Sequence, residues 1–351
     1  MVLACTRSRP ATQQPIHLPD VFDHSGRDCS PVVLSTLSAA NAMIQPINYF
    51  SPFDCRADTL SDIKRYIQAV EDFARTKSYK VFWRGQANHE WGLVSSLVRC
   101  LATSGTVDDK TLDQIEDKLL KEAAHWVKDL ADPKYAEPLA KLAYLQHHGV
   151  PTRLLDFTSS PWMAVFFSSE SHDHIDGRMF ALLVEDTAIR AVTPVATPWR
   201  TAKTTSVFVY DAVQAGVSFP RLVSQSGVLA YGRLPSTAPL RQAHDELLKT
   251  QRNLLAEEVR RIMSLPFKLS IFTPANGAGC IDAKVSAPIT ITFRVHVDKE
   301  SVRRNLVGAG SGNRIAPTGS KISHSDVYPD IGGMVTYSKT LCGLKNGVML
   351  L

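Results

Sequence analysis

Long apolar runs are missing from this chain. The longest, Trp162–Phe167 and Met179–Val184, fall well short of the roughly 18–20 residues that a membrane helix needs. A helical membrane protein is therefore excluded. Cysteine is also sparse. The six (Cys5, Cys29, Cys55, Cys100, Cys280 and Cys342) lie far apart in 351 residues, and no Cys-x-x-Cys pair occurs. Neither a zinc cage nor a redox motif is spelled out, and no metal is expected. A chain of this length builds its core without covalent staples, so the thiols are expected reduced and the protein cytoplasmic. An excess of one charge is absent as well: 39 Lys and Arg stand against 34 Asp and Glu, a formal charge of +5. That balance admits an anionic ligand or nucleic acid without the basic block that would announce one. Met1–Cys5 is apolar, but Arg7 and Arg9 follow at once, so no signal-peptide core is expected. With 44% hydrophobic and 21% charged residues, a disordered or collagenous chain is ruled out too.

What is present reads as alternating helices and strands. Residues 1–57 are rich in Pro, Ser, Asp and Gln with no sustained period, and are expected to be an irregular extension before one domain over 58–351. Leu60, Ile63, Ile67, Val70 and Phe73 recur at three- and four-residue steps and predict a helix to about Thr76. Tyr79–Gly85 alternates as a strand. Charged and apolar periodicity predicts helices at about Lys110–Leu130 and Pro138–His148, the second stopped by Gly149 and Pro151. Arg153–Phe157 is a short extended piece, and Ser160-Pro161 opens an apolar helix expected to be buried. Strands are expected at Met179–Glu185, Thr205–Tyr210, Gly227–Tyr231 and Ile289–Val297, with a long amphipathic helix over Arg241–Met263. The irregular alternation favours α+β over a doubly wound parallel sheet.

Two stretches carry residues suited to chemistry. Phe82-Trp83-Arg84-Gly85-Gln86 places a guanidinium at a strand end, where it would clamp phosphate or carboxylate in a two-pronged way that Lys cannot imitate. Gly85 gives room for a turn or a close ligand. The same Arg84 would equally serve as a structural ion pair to Asp156 or Asp330. In the second stretch, Gln146 to Pro161, three hydroxyl residues (Thr158, Ser159, Ser160) precede a helix. Its free first-turn N–H groups, with those hydroxyls, suit a phosphate, ribose or carboxylate. Ser160 also reads as a plain helix cap, with Thr158 and Ser159 satisfying local backbone. His147 and His148 are adjacent, diverge on a helix, and read as structural. Gly308–Gly312 lacks the Lys-Ser/Thr of a phosphate loop and reads as a flexible connection. His172-Asp173-His174 with Asp176 reads as a solvated loop. Arg252, Arg260 and Arg261, interleaved with Glu257 and Glu258, read as a solvated helix face.

Four of these segments together resemble the FRG domain family, named for a Phe-Arg-Gly motif. They are the Arg84-Gly85-Gln86 element, the run from Gln146 to Pro161, Arg221…Gln225-Ser226-Gly227, and Val327-Tyr328-Pro329-Asp330-Ile331-Gly332-Gly333. They span Tyr79 to about Tyr337. Trp83 separates Phe82 from Arg84, and Gly332 stands where the family often has an acidic residue. More distantly, an Arg-Gly on a first strand followed by Thr-Ser-Ser before an apolar helix is similar to ADP-ribosyltransferases of the Arg-Ser-Glu type. This second resemblance implies a mixed, mostly antiparallel split sheet with helices around a cleft, and NAD as substrate. Within it, Arg84, Gly85 and Gln86 with Thr158, Ser159 and Ser160 would hold the dinucleotide. Arg84, Gln225 and Asp156 would carry the chemistry. No Glu follows Gln225 by two residues; Asp156, Asp330 and Glu170 are the acidic alternatives. A carboxylate touching the ribose hydroxyls would stabilise the oxocarbenium-like state.

The expected activity is therefore NAD-dependent ADP-ribosyl transfer to a macromolecular acceptor, protein or nucleic acid, in a bacterial toxin or antiphage effector with a neutralising partner protein. The rival is a module that binds nucleotide or nucleic acid without catalysis. A hydrolase using Asp156 with His147 or His148 is a third option.

Overall fold

The computed structural model describes residues 44–103, 107–190, 197–217, 219–235, 242–245, 250–275, 278–281, 287–306 and 327–330. Gly308–Gly312, Ile331–Gly333, Cys5, Cys29, Cys342 and residues 1–43 of the expected extension lie outside them. Among the described residues the strands are β1 Asp54–Ala57, β2 Lys80–Gln86, β3 Leu155–Thr158, β4 Gly177–Val184, β5 Ile189–Arg190, β6 Val207–Tyr210, β7 Gly227–Gly232, β8 Gln242–Asp245, β9 Thr250–Asn253, β10 Lys268–Leu269, β11 Phe272–Ala275, β12 Ala278–Ile281 and β13 Ile289–Val295. The α-helices are α1 Pro46–Phe50, α2 Leu60–Thr76, α3 Ser96–Ala102, α4 Asp109–Trp126, α5 Pro138–His147, α6 Pro161–Ser169, α7 Pro198–Thr201, α8 Pro220–Ser224, α9 Ala256–Ile262 and α10 Lys299–Leu306. The class is mixed α+β.

Nine strands form one mixed, mostly antiparallel sheet in the order β1-β13-β4-β2-β3-β7-β6-β5, with β10 beside β13. Only β1 and β10 against β13, and β5 against β6, run parallel. The sheet has a seam. β4 pairs with β2 from Lys80↔Val184 to Gln86↔Arg178, and β3 pairs with β7 along its whole length. β2 and β3 meet at one position, Trp83↔Thr158, and then part.

Local sequence explains the elements around that seam. Thr59 caps α2 through a reciprocal box with Asp62, each side chain taking the other's backbone N–H. α5 ends where Gly149 turns at φ +84°, and the Val150 N–H returns to the Leu145 carbonyl at 2.9 Å. Ser160 caps α6 at the Met163 N–H, and Pro161 occupies its first turn. α6 buries its apolar circumference against Trp83, Met179 and Ala181. It sits so close that a Cβ on Gly85 would lie 1.9 Å from the Ala164 carbonyl oxygen, and one on Gly177 2.1 Å from that of Ser168. Gly85 is thus a packing residue for α6, in addition to bordering the cleft described below. In β13 the sequence alternation sorts as expected: Ile289, Ile291, Phe293 and Val295 join the α2/α6 core. Thr290 and Thr292, on the opposite face, are buried too. That face carries a second core with Phe82, Phe180 and Phe157, and a third core gathers α4, α5 and α7 over β6 and β7.

Two expectations differ from the structure. Residues 46–57, read as part of an irregular arm, form α1 and β1, and β1 pairs with β13. The long helix over Arg241–Met263 is instead a hairpin, β8 against β9, followed by the short α9. The helix begins at Ala256 because the buried Glu258 carboxylate accepts the N–H of Leu255 at 2.7 Å and also that of Ile44. This capping acid anchors α9 to the chain before α1, a contact no local pattern announces.

Candidate functional site

The seam between β2 and β3 opens into a cleft of about 1010 Å³. Carrying the register on from Trp83–Thr158 would set Gly85 opposite Asp156. There the strands have already separated, and Arg84 reaches across the gap instead. Its guanidinium donates from Nη1 to the Asp156 main-chain carbonyl at 2.6 Å, a carbonyl that a continued ladder would have used. Arg84 Nε is buried with no hydrogen-bond partner among the described residues. Burial pushes the Arg84 guanidinium below its ordinary value; Asp156 opposes that and Arg99 adds to it. Arg99, also in the cleft, is lowered by burial in the same way and likewise supported by Asp156. Both guanidiniums thus feel the Asp156 carboxylate, Arg84 from a half-buried position and Arg99 from an exposed one.

The other walls come from distant parts of the chain. On one side α8 supplies Arg221 and is capped by Gln225, and α5 supplies Gln146 and His147. Gln146 donates to the Asp156 carboxylate at 2.5 Å. His147 stacks on Phe219, with centroids 4.8 Å apart, and burial foremost holds its imidazole below the usual range. At the end of α6, Glu170 accepts from the Tyr328 hydroxyl. Burial raises the Glu170 carboxyl above its ordinary value despite that bond and the influence of Arg221 and Arg303. Residues 327–330 are fastened to α8 by three contacts. Arg221 pairs with Asp330 at 2.8 Å, Gln225 Nε2 donates to the Val327 carbonyl at 2.8 Å, and the Arg221 guanidinium lies 5.2 Å from the Tyr328 ring centroid.

Of the residues singled out from sequence, Arg84, Gly85, Gln86, Asp156, Thr158 and Gln225 all border this cleft. Ser159 and Ser160 do not line it. Ser159 pairs with the Ser226 carbonyl through its N–H at 2.9 Å and its hydroxyl at 3.4 Å, while Ser160 caps α6. Thr158 turns its own hydroxyl to the Gln225 carbonyl at 2.6 Å and accepts from the Ser160 N–H. Arg84 makes no salt bridge to Asp330, which belongs to Arg221. Arg153, a possible partner for Asp156, is instead buried against Glu116, Asp113 and Asp109.

Residues 79–177 match the family model of the FRG domain. The match covers 99 of the 351 residues. No curated protein and no solved structure matches the chain. The FRG segment contains β2, α3 to α6 and β3, hence both lips of the seam. Two elements beyond it, Arg221…Gln225 and Val327–Asp330, add to the cleft wall and bond to each other.

Sequence reasoning missed Arg99 and placed Arg260 and Arg261 on a solvated face; all three line the cleft. Arg99 had no signal beyond its position on an amphipathic helix. The loop acids also have partners: Asp173 with Arg303, and Asp176 with Arg294 and His296. Among the described residues no group of three or more His, Cys, Asp or Glu side chains is placed to hold a metal, and no helix is long and apolar enough to cross a membrane.

Proposed function

We propose that the cleft binds NAD and transfers its ADP-ribose to a macromolecular acceptor. The observation that carries this reading is the position of Arg84, a half-buried guanidinium at the seam of the sheet that holds the Asp156 carbonyl and keeps Nε without a partner among the described residues. A guanidinium held at such a seam suits a pyrophosphate, whose oxygens take paired N–H donors. The volume fits a ligand larger than a single ring system, and His147 with Phe219 offers a flat apolar wall. In the transfer the bond between ribose C1′ and the nicotinamide nitrogen breaks, and its electron pair neutralises the ring cation. An acceptor lone pair bonds to C1′, and the acceptor's proton passes to the Asp156 carboxylate. Gln225, whose Nε2 is spent on Val327, presents Oε1 to a ribose hydroxyl. Such a reaction fits a toxin or antiphage effector held in check by a neutralising protein.

The second reading, nucleotide binding without transfer, is favoured by one feature. Gln225, Glu170 and Asp330 are each engaged by another protein group, and the Asp156 carboxylate receives Gln146. Incubating the protein with cell lysate and NAD radiolabelled in its adenylate phosphate separates the two. Transfer predicts nicotinamide release and label on macromolecules, both lost in Arg84→Ala and kept in Arg252→Ala. Retention of NAD without nicotinamide release would establish binding alone.

A further inference from the structure

One rim of the cleft carries Trp91, Arg260 and Arg261, which the dinucleotide reading leaves unused, next to Arg99. The strap after β2 carries Trp91, a residue 45% exposed although it borders the cleft. This strap is welded to the C-terminal turn of α9. Leu93 donates to the Ile262 carbonyl at 2.7 Å, Ser264 donates back to Leu93 at 3.1 Å, and a Cβ on Gly92 would fall 1.8 Å from the Arg261 carbonyl oxygen. The weld fixes Trp91 beside the helix that presents Arg260 and Arg261 to the same cleft. Arg99 joins them, its guanidinium donating to the Val94 carbonyl of that strap. His172 meets Trp91 edge-on, with centroids 5.2 Å apart. The rim therefore offers one aromatic plate and three arginines held in register by backbone contacts, with Glu90 the acidic group among them.

From this we infer that the Trp91–Arg99–Arg260–Arg261 rim binds single-stranded nucleic acid, which is the acceptor of the transferred ADP-ribose. An exposed indole next to guanidiniums matches unpaired bases and their phosphates, since every base has a stacking face and the arginines track the backbone. An acidic peptide would use the arginines and leave the indole in water. A duplex turns its bases inward, away from the plate. In the acceptor role, a nitrogen or oxygen lone pair of the strand forms the new bond to C1′. Nicotinamide departs with the electron pair of the broken bond, and the displaced proton goes to Asp156. The acceptor role rests on the transfer reading above, whereas strand binding stands without it.

Fluorescence anisotropy of short fluorescein-labelled single strands, one DNA and one RNA, tests the rim on the full chain. Binding is expected to weaken as salt rises, with the log–log slope reduced by about 1 for Arg261→Ala. Trp91→Ala is expected to weaken binding about tenfold, as loss of one stacked base does; Trp91→Phe should retain most of it. Trp126 is 80% exposed and does not line the cleft, so Trp126→Ala should bind as the wild type does. Thermal unfolding of each variant shows that it is folded. The inference is overturned if neither strand binds, if Trp91→Ala binds like wild type, or if poly-glutamate or a duplex competes as well as the single strand. Nicotinamide release measured in cell lysate, where every acceptor is present, reports on the transfer. Strand binding without release removes the transfer reading and keeps the rim; release without strand binding does the reverse.

Discussion

Replacing Gly85 by Ala changes one methyl group at the point where α6 lies on β2. The added Cβ would stand 1.9 Å from the Ala164 carbonyl oxygen, 2.7 Å from the Ser168 nitrogen and 2.9 Å from the Ala164 carbonyl carbon. The first contact is more than 1 Å inside the 3.0 Å that real Cβ atoms respect, and all three atoms are main chain. No side chain can swing away, so the helix must move off the strand or the strand must bend. Overpacking in a close-packed core costs about 1–3 kcal/mol, and a clash with helix backbone belongs at the upper end, about 3 kcal/mol. The displacement also reaches the cleft, because α6 leads into Glu170 and β2 carries Arg84 one residue away. Urea unfolding followed by tryptophan fluorescence gives the stability loss from the shift in midpoint at unchanged slope. Ala164→Gly should not rescue Gly85→Ala, since the clashing atoms remain. A Gly85→Ala protein within about 0.5 kcal/mol of wild type would refute the packing argument and return Gly85 to a purely ligand-facing role.

Other consequences follow from the ion pairs. Glu116→Gln should cost about 3 kcal/mol, because it leaves the buried Arg153 with only its two outer partners, Asp113 and Asp109; a change under about 0.5 kcal/mol in urea would contradict this. The hydrogen bond from Arg303 holds the Asp173 carboxyl below its ordinary value of 3.8, so its stabilisation is complete above that pH and disappears as pH falls through the lower native value. The stability gap between wild type and Asp173→Asn should therefore be constant near neutrality and close in acid; a gap that widens in acid would reverse the assignment. Arg84→Lys should lose about tenfold or more in NAD affinity, because an ammonium lacks the paired donors, and an unchanged affinity would argue against a clamped pyrophosphate.

Much of the scaffold was legible because its signals are local. The apolar period from Leu60 to Phe73, the Gly149 stop, the Ser160-Pro161 start and the strict alternation of Ile289–Val295 each fix an element through neighbours in sequence. The errors fall where distant contacts decide. Arg241–Met263 has helical composition, yet pairing of β8 with β9 and the Glu258 cap at Leu255 divide it, tertiary context overriding propensity. Residues 54–57 have no period of their own and become a strand because β13 offers an edge.

The site shows the same division. The motifs around Arg84, Asp156, Gln225 and Tyr328 could be collected from the chain, and the cleft gathers them. Their partners could not be read. Arg153 lies closer to Asp156 in sequence than any rival, yet pairs with Glu116, and Arg221 rather than Arg84 takes Asp330. Choice of partner among charged residues is set by the sheet order, which sequence does not display. Arg260 and Arg261 look solvated on a helical wheel, and only the weld of α9 to the Trp91 strap turns them to the cleft.

The central claim is that a pyrophosphate-bearing dinucleotide lodges at the seam on Arg84. Calorimetric titration with NAD and with ADP-ribose tests it directly, comparing wild type with Arg84→Ala and with Arg200→Ala, whose guanidinium pairs with Asp113 and Asp117 outside the cleft. Both ligands should bind wild type and Arg200→Ala alike and give no binding heat with Arg84→Ala. Equal heats for all three proteins, or none with folded wild type, would contradict the account.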